Sequence, residues 1–281
     1  MMKRQLFTFI VAITAILAGC SGEDIPTELS EPKEILFSVT ELGVESRTGI
    51  STDNLSNFGI SISNPVSSQY TYNNIKVEKS SSDGKWTPAE QMLWHNLTDT
   101  VDIVACAPYS STVGNLCGVS NYAVSVEENQ QKGIDNSDFL VFKKSALVPK
   151  TDLKNDGTLE MEFKHVMCKL NIIVKLAEST ELADLKICGA KLHGQCNFTA
   201  DEPIVVATGA NTRDLKTKIE TTTTSKAHCS CIMIPQTTES SFCVVLYVKQ
   251  GTSYSKYKWK PSQSLTFESG KNYRIELSLA N

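Results

Sequence analysis

Residues 159–176 read Leu-Glu-Met-Glu-Phe-Lys-His-Val-Met-Cys-Lys-Leu-Asn-Ile-Ile-Val-Lys-Leu, and this stretch decides the fold class. Its core-type side chains occupy first odd and then even positions: Leu159, Met161, Phe163, His165 and Met167, followed by Leu170, Ile172, Val174 and Leu176. A period of two is typical of a β-strand with one buried face, and a regular strand cannot change its parity. The stretch therefore predicts a bulge or bend near residues 167–169 that absorbs one residue.

The same period recurs on both sides of this stretch. Alternating apolar residues predict strands over 35–39, 58–62 and 273–279, and the nearly continuous apolar runs 101–107 and 139–142 predict strands buried on both faces. Turn residues separate these segments, and the polar tract 221–225 is expected to be a loop or an exposed strand edge. A helix is possible only briefly, at Glu181–Leu185. The pattern predicts an all-β protein built of sandwiches.

The polar stretch 150–157, with its Asp156-Gly157 turn, is the best candidate for a domain boundary. It separates two comparable sets of strands, although no internal repeat is visible. We therefore expect an N-terminal β-sandwich domain over 35–155 and a C-terminal one over 156–281.

The first 20 residues predict export. Lys3 and Arg4 precede a short apolar run, which is too short to span a membrane and ends in Leu17-Ala18-Gly19-Cys20. This ending resembles a bacterial lipobox, which implies a signal peptide over 1–19, a lipid on Cys20 and an outer-membrane location. The polar residues 20–34 then form a tether. The alternative is ordinary secretion with an unmodified Cys20.

Eight further cysteines leave the disulfide state open. They are Cys106, Cys117, Cys168, Cys188, Cys196, Cys229, Cys231 and Cys243. An even number in an exported chain permits disulfides, whereas Cys106, Cys168 and Cys243 lie in apolar runs that suit small buried hydrophobes. His228-Cys229-Ser230-Cys231 lacks a second ligand pair, so no metal site is predicted.

The remaining composition argues against enzymes and nucleic-acid binders. The formal net charge of −4 shows no global basic face. None of the four histidines (His95, His165, His193 and His228) belongs to a catalytic or metal motif, and His165 is expected to be a satisfied core residue. A hydrolase is therefore disfavoured, and we predict no catalytic, cofactor-binding or metal-binding residue. Trp86, Trp94 and Trp259 suit either core packing or a glycan-stacking platform.

Several short motifs, in this order, carry a family resemblance. They are the lipobox, Phe37, Ser46-Arg47-Thr48, Trp86 and Trp94, the run 101–109, Asp138-Phe139-Leu140, the run 163–170, Ile234-Pro235-Gln236 and Gly270-Lys271-Asn272-Tyr273. Together they resemble the fimbrillin family, the subunits of type V pili, over nearly the whole mature chain.

The resemblance implies two tandem transthyretin-like β-sandwich domains and a lipoprotein precursor. It also implies cleavage by an arginine-specific protease after the first strand, and a neighbouring pilus subunit that fills the resulting groove with its own strand. Arg47 and Thr48 match the cleavage position. The alternative is that Arg47 is an uncut surface arginine.

One departure from the family pattern concerns the end of the sequence. Stalk-forming members usually carry an extension that serves as the donor strand, whereas here Ala280-Asn281 directly follows the strand over 273–279. We therefore expect a tip or accessory subunit, or an adhesin with a host or bacterial surface receptor or glycan. The competing hypothesis is a glycan-binding surface lipoprotein of a carbohydrate-uptake system, which would display its tryptophans in a groove.

The lipobox yields the first testable prediction. Cys20→Ala removes the only predicted acylation site, so this variant should lose membrane partitioning and accumulate as soluble or unprocessed protein. Each buried acyl methylene adds about 0.8 kcal/mol of membrane affinity, which the variant would forgo. Detergent phase partitioning measures the effect, and wild-type partitioning by Cys20→Ala would refute the lipid anchor.

Overall fold

A computed structural model describes residues 32–41 and 50–279, and its regular structure is almost entirely β-strand. The first ten strands are β1 (Lys33–Glu34), β2 (Leu36–Glu41), β3 (Asn57–Ser63), β4 (Tyr72–Lys79), β5 (Trp86–Pro88), β6 (Leu93–Trp94), β7 (Val101–Ala107), β8 (Tyr122–Ser125), β9 (Leu140–Leu147) and β10 (Thr158–His165). The remaining strands are β11 (Cys168–Lys175), β12 (Glu181–Ala190), β13 (His193–Cys196), β14 (Val205–Ala207), β15 (Arg213–Lys216), β16 (Lys218–Thr222), β17 (Lys226–Met233), β18 (Gln236–Thr237), β19 (Cys243–Gln250), β20 (Ser253–Trp259), β21 (Thr266–Phe267) and β22 (Asn272–Ser278). The helical elements described are α1 (Pro149–Asp152) and two 3₁₀ turns, Ser68–Tyr70 and Asp135–Ser137. The all-β prediction is confirmed.

Three sheets build the body of the protein. A seven-stranded sheet has the order β2-β10-β9-β7-β3-β4-β5, and its β2–β10 pair is parallel whereas its other pairs are antiparallel. Two four-stranded sheets follow, with the orders β16-β17-β11-β22 and β15-β12-β19-β20. Smaller sheets join β14-β13-β8, β18-β21 and β1-β6.

The stretch 158–175 runs from the first of these sheets into the second. β10 ends at His165 and β11 begins at Cys168, so Val166 and Met167 form the predicted break, slightly earlier than expected. Before the break the odd residues of β10 are buried, and after it Leu170, Ile172 and Val174 are buried. The predicted change of parity is therefore confirmed. The structure shows that it coincides with the passage of the chain from one sheet to another.

Two clusters of buried side chains hold the sheets together. The N-terminal core consists of side chains from β2, β3, β4, β6, β7, β9 and β10, together with Ile35, Ile50, Leu55 and Met92. The C-terminal core lies between the two four-stranded sheets and also receives side chains from β7, β8 and β9. Since both clusters exclude water from apolar surface, they supply the main stabilisation of the fold.

β7 lies between the two cores. Ile103 and Ala105 point into the N-terminal core, whereas Val104 and Cys106 point into the C-terminal core. This explains why the run 101–107 is apolar at nearly every position, and it confirms the prediction of a central strand buried on both faces.

The division between the cores differs from the predicted boundary at residues 155 and 156. β10 follows that boundary, yet Leu159, Met161 and Phe163 pack in the N-terminal core. Conversely, β8 precedes the boundary but pairs with β13, and its Tyr122 and Val124 pack in the C-terminal core. Phe163 therefore packs as predicted, but in the first core rather than the second. The assignment of two transthyretin-like domains stays a prediction.

Several local expectations can also be compared. Glu181–Leu185, a possible helix, is the beginning of β12. The tract 221–225 contains the end of the edge strand β16 and a turn, as expected. Residues 33 and 34, assigned to the tether, pair with β6. Within the described ranges, no helix is both long and apolar enough to cross a bilayer.

Phe163 is the best probe of the N-terminal core. Its ring lies 5.4 Å from that of Phe58 and 6.2 Å from that of Phe142, measured between centroids. Phe163→Ala should lower the free energy of unfolding by about 3–5 kcal/mol, because such truncations leave a cavity. Urea denaturation measures the loss, with Val66→Ala at an exposed position as the control. An unchanged midpoint for Phe163→Ala would contradict the packing described here.

Candidate functional site

The first strand is attached to the body along one edge. β2 is the terminal strand of the seven-stranded sheet, and residues 36–41 pair in parallel with residues 158–163 of β10. Just before it, β1 pairs with β6, and the Ile35 N–H donates to the Met92 carbonyl at 3.0 Å. Parallel pairing is slightly less stable per residue than antiparallel pairing, so the backbone holds this strand comparatively weakly.

The side chains of this segment nevertheless complete the N-terminal core. Ile35 and Phe37 are buried, and the Phe37 ring stands edge-on to Phe58 with centroids 6.2 Å apart. Val39 packs partly buried against the same cluster, as the alternation predicted, whereas Leu36 is exposed. Burying one such side chain contributes about 1.5–3 kcal/mol, so the strand fills an apolar slot that any replacement must also fill.

The chain is anchored again at Ile50, on the far side of the segment 42–49. Ile50 is buried, and its N–H donates to Asp138 Oδ2 at 3.1 Å. Arg47 and Thr48 lie outside the described residues, as does Cys20. By sequence, the Arg47–Thr48 bond therefore lies between two segments that are attached to the body separately.

Asp138 is the centre of this second anchor. Its Oδ2 also accepts a hydrogen bond from His165 Nδ1 at 2.8 Å, and its Oδ1 accepts one from the Phe139 N–H at 2.9 Å. Both Asp138 and His165 are buried, so these bonds are shielded from water. The expectation that His165 is a satisfied core residue is confirmed. The carboxylate ties the end of β10, the start of β9 and the Ile50 segment together.

The cysteines of the described ranges are free thiols. Burial raises the pKa of Cys106, Cys168, Cys196 and Cys229 to about 12. These thiols stay protonated at neutral pH and pack as small hydrophobes, since the thiolate is the reactive form. The predicted burial of Cys106, Cys168 and Cys243 is confirmed.

Two cysteine pairs bear on the questions left open by the sequence. Cys188 and Cys243 are direct partners across β12 and β19, and such partners have Cα atoms about 4.5–5.5 Å apart, within the range that a disulfide spans. Cys229 and Cys231 both point into the C-terminal core. Among the residues the structure describes, no group of three or more His, Cys, Asp or Glu side chains is arranged to hold a metal ion.

The three tryptophans pack rather than form a platform. Trp94 is buried, and Trp86 is half-buried against Phe58 with ring centroids 5.1 Å apart. Trp259 is half-buried against the C-terminal core. The packing interpretation is therefore confirmed, and the exposed groove of tryptophans expected of the competing glycan-uptake protein is not what these residues form.

The chain belongs to the fimbrillin-like family, whose model matches residues 46–281. This confirms the family resemblance drawn from the motifs. It assigns the chain to the class of fimbrial proteins. No curated protein matches the sequence.

Solved structures share the fold across most of the chain. A candidate cell adhesion protein from Bacteroides uniformis is 21% identical, with a TM-score of 0.59, and the match covers 87% of this chain and 93% of that one. A second, from Bacteroides ovatus, is 17% identical, with a TM-score of 0.58 and coverage of 89% and 92%. The C-terminally truncated tip fimbrial protein Mfa3 of Porphyromonas gingivalis is 10% identical, with a TM-score of 0.52 and coverage of 89% and 96%. At these identities the likeness concerns the fold.

The Asp138 anchor gives a prediction that is independent of assembly. Asp138→Asn replaces an acceptor oxygen by an NH₂ group, so at least one of its three hydrogen-bond donors loses its partner. Leaving a buried donor unpaired costs about 1–3 kcal/mol, and the free energy of unfolding should fall by that amount. Asp53→Asn makes the same charge change at an exposed position and serves as the control in denaturant unfolding. Equal stability of the two variants would show that the anchor is not structural.

Proposed function

We propose that this protein is a non-enzymatic fimbrial subunit that accepts a strand from another subunit after cleavage at Arg47 removes its own first strand. The observation that carries the proposal is the position of β2. This strand lies at the edge of its sheet, fills an apolar slot in the N-terminal core, and is followed by the segment that contains Arg47.

The arginines of the mature sequence favour this cleavage position. They are Arg47, Arg213 and Arg274, and the last two lie within β15 and β22. A strand residue has its backbone hydrogen-bonded in a ladder, and a protease needs an accessible, extended segment. An arginine-specific protease therefore has better access to a polar connecting segment than to either strand.

Loss of β2 creates a surface that requires a partner. The edge of β10 over residues 158–163 would lose its parallel neighbour, and the slot vacated by Ile35 and Phe37 would expose Phe58 to water. Unpaired strand edges and exposed apolar side chains both favour the addition of a strand from another chain. The donor should be extended, with apolar side chains at alternate positions, as in the segment it replaces.

The other end of the described chain favours the role of acceptor. β22 pairs in parallel with β11 over seven residues, and Leu277 is buried in the C-terminal core. Donating β22 would remove these interactions from the chain's own sandwich. We therefore propose a tip or accessory position in the pilus, reached by export as an outer-membrane lipoprotein acylated on Cys20. We also propose that the protein has the two tandem transthyretin-like domains that the family resemblance implies.

Cleavage can be tested with two substitutions at one position. Arg47→Ala and Arg47→Lys both remove the recognition residue of an arginine-specific protease, and Arg47→Lys keeps the charge. Each should reduce incorporation into surface fimbriae at least tenfold, measured by immunoblotting of sheared fimbriae, while the melting temperature stays that of the wild type. Arg213→Ala is the matched control and should be incorporated normally.

Either of two results would overturn the proposal. One is normal incorporation of both Arg47 variants, which would show that removal of β2 is not required. The other is the growth of fibres from the cut, purified wild-type protein alone, which would show that the chain donates a strand as well as accepting one.

A further inference from the structure

An exposed face of the β15-β12-β19-β20 sheet carries an unusual set of side chains. We call it the lysine–tyrosine face, and it consists of Lys186, Tyr247, Lys249, Tyr254, Lys256 and Lys258. Directly opposed residues of antiparallel strands share a face, and β19 and β20 pair Val245 with Lys258, Tyr247 with Lys256 and Lys249 with Tyr254. Lys186 joins this face because it pairs with Val245.

The strand β20 is exposed along most of its length. Six of its seven residues are exposed, and Tyr254, on the lysine–tyrosine face, keeps 65% of its full accessibility. Tyr257 pairs with the buried Leu246 and therefore lies on the opposite side of the sheet. An exposed tyrosine ring offers apolar surface to a partner, since large aromatic side chains bury about 150–250 Å² when they pack. The strand also forms the free edge of its sheet.

The charge of this face opposes that of the whole protein. Residues 249–260 contain four lysines and no acidic residue, although the formal net charge of the chain is −4. Over the described ranges, no salt bridge joins Lys186, Lys256 or Lys258 to a carboxylate. Their contacts are with a ring instead, because the ammonium groups of Lys186 and Lys256 lie 5.6 Å and 5.8 Å from the centroid of Tyr247. Two carboxylates lie on the same face, on β12: Glu181 is opposite Lys249 and Asp184 is opposite Tyr247. The row of Lys186, Val245 and Lys258 contains none.

Protection of a sheet edge accounts for only part of this pattern. Lysines on an edge strand discourage pairing with other chains, and this explains Lys256 and Lys258. It does not explain Lys186 and Lys249, which lie on the inner strands β12 and β19. The lysines therefore cover the width of three strands, which suits contact with an extended ligand rather than defence of one edge.

We propose that the lysine–tyrosine face binds an anionic polysaccharide that carries sulfate or carboxylate groups. Lysines on alternate positions of a strand stand about 7 Å apart on one side and supply point charges to a chain of anionic groups. The exposed Tyr254 and the half-buried Tyr247 supply flat apolar surfaces on which sugar rings pack. Polysaccharide is favoured over other polyanions because a fimbrial subunit, as proposed above, stands at the cell surface. This binding rests on the proposed role as a fimbrial subunit, to which it adds a class of receptor.

The experiment uses the intact, uncut protein, so its result does not depend on cleavage or strand exchange. Heparin is the anionic probe and dextran the neutral one. The wild type should bind heparin but not dextran, and binding should weaken steeply with added salt, because exposed charges are screened over about 10 Å at 0.1 M. Lys256→Gln/Lys258→Gln should weaken heparin binding at least tenfold, as measured by isothermal titration.

Lys132→Gln/Lys150→Gln is the matched control, since it removes two exposed lysines elsewhere on the surface. It should change heparin binding less than twofold. Equal losses in the two double variants, or equal binding of heparin and dextran, would overturn the inference. Tighter binding of duplex DNA or of phosphatidylglycerol vesicles than of heparin would also overturn it, because the ligand would then be a different polyanion.

Discussion

The structure depends on one continuous segment, residues 158–175, that serves both cores in turn. Its first half, β10, lies between β2 and β9 and fills the N-terminal core, and its second half, β11, lies between β17 and β22 and fills the C-terminal core. The break at Val166 and Met167 allows both halves to be buried, because it switches which side chains face inward. A substitution on one side of the break therefore acts on a strand that continues directly into the other core.

The proposed assembly uses the same segment. β10 has two neighbours, and β9 pairs with it only at its C-terminal end, through Lys164 and His165. Over residues 158–163 its partner is β2, so the first strand covers most of its length. Ile50 is tied to Asp138 separately, and the body therefore keeps its hold on the chain beyond Arg47 when β2 leaves. Separate anchors on the two sides of a cleavage segment let a strand be exchanged without unfolding the rest.

Local sequence patterns predicted where the strands lie. How the strands assemble into sheets and cores depends on pairing between residues that are far apart in the sequence. Period-two alternation was sufficient for β3 and β22, a nearly continuous apolar run predicted β7, and the change of parity predicted the break before β11. The membership of β10 in the first core could not be predicted, because it depends on parallel pairing with a strand more than 100 residues earlier. The pairing of β8 with β13 depends on long-range contacts in the same way.

The sequence predicted only one member of the Asp138–His165 pair. The alternation placed His165 on the inward face, but Asp138, which binds it, lies 27 residues away in sequence. The lysine–tyrosine face was missed because only the register of three strands brings its residues together.

The central claim is that β2 is a separable strand whose departure uncovers β10, and hydrogen–deuterium exchange tests it most directly. The amides of residues 158–163 should be protected in the intact protein. After cleavage at Arg47 and removal of the released segment, they should exchange at least tenfold faster, while β11 stays protected. A synthetic peptide of residues 33–44 should restore the protection. Unchanged protection of β10 after the released segment is gone, or loss of protection throughout β11 as well, would contradict the account.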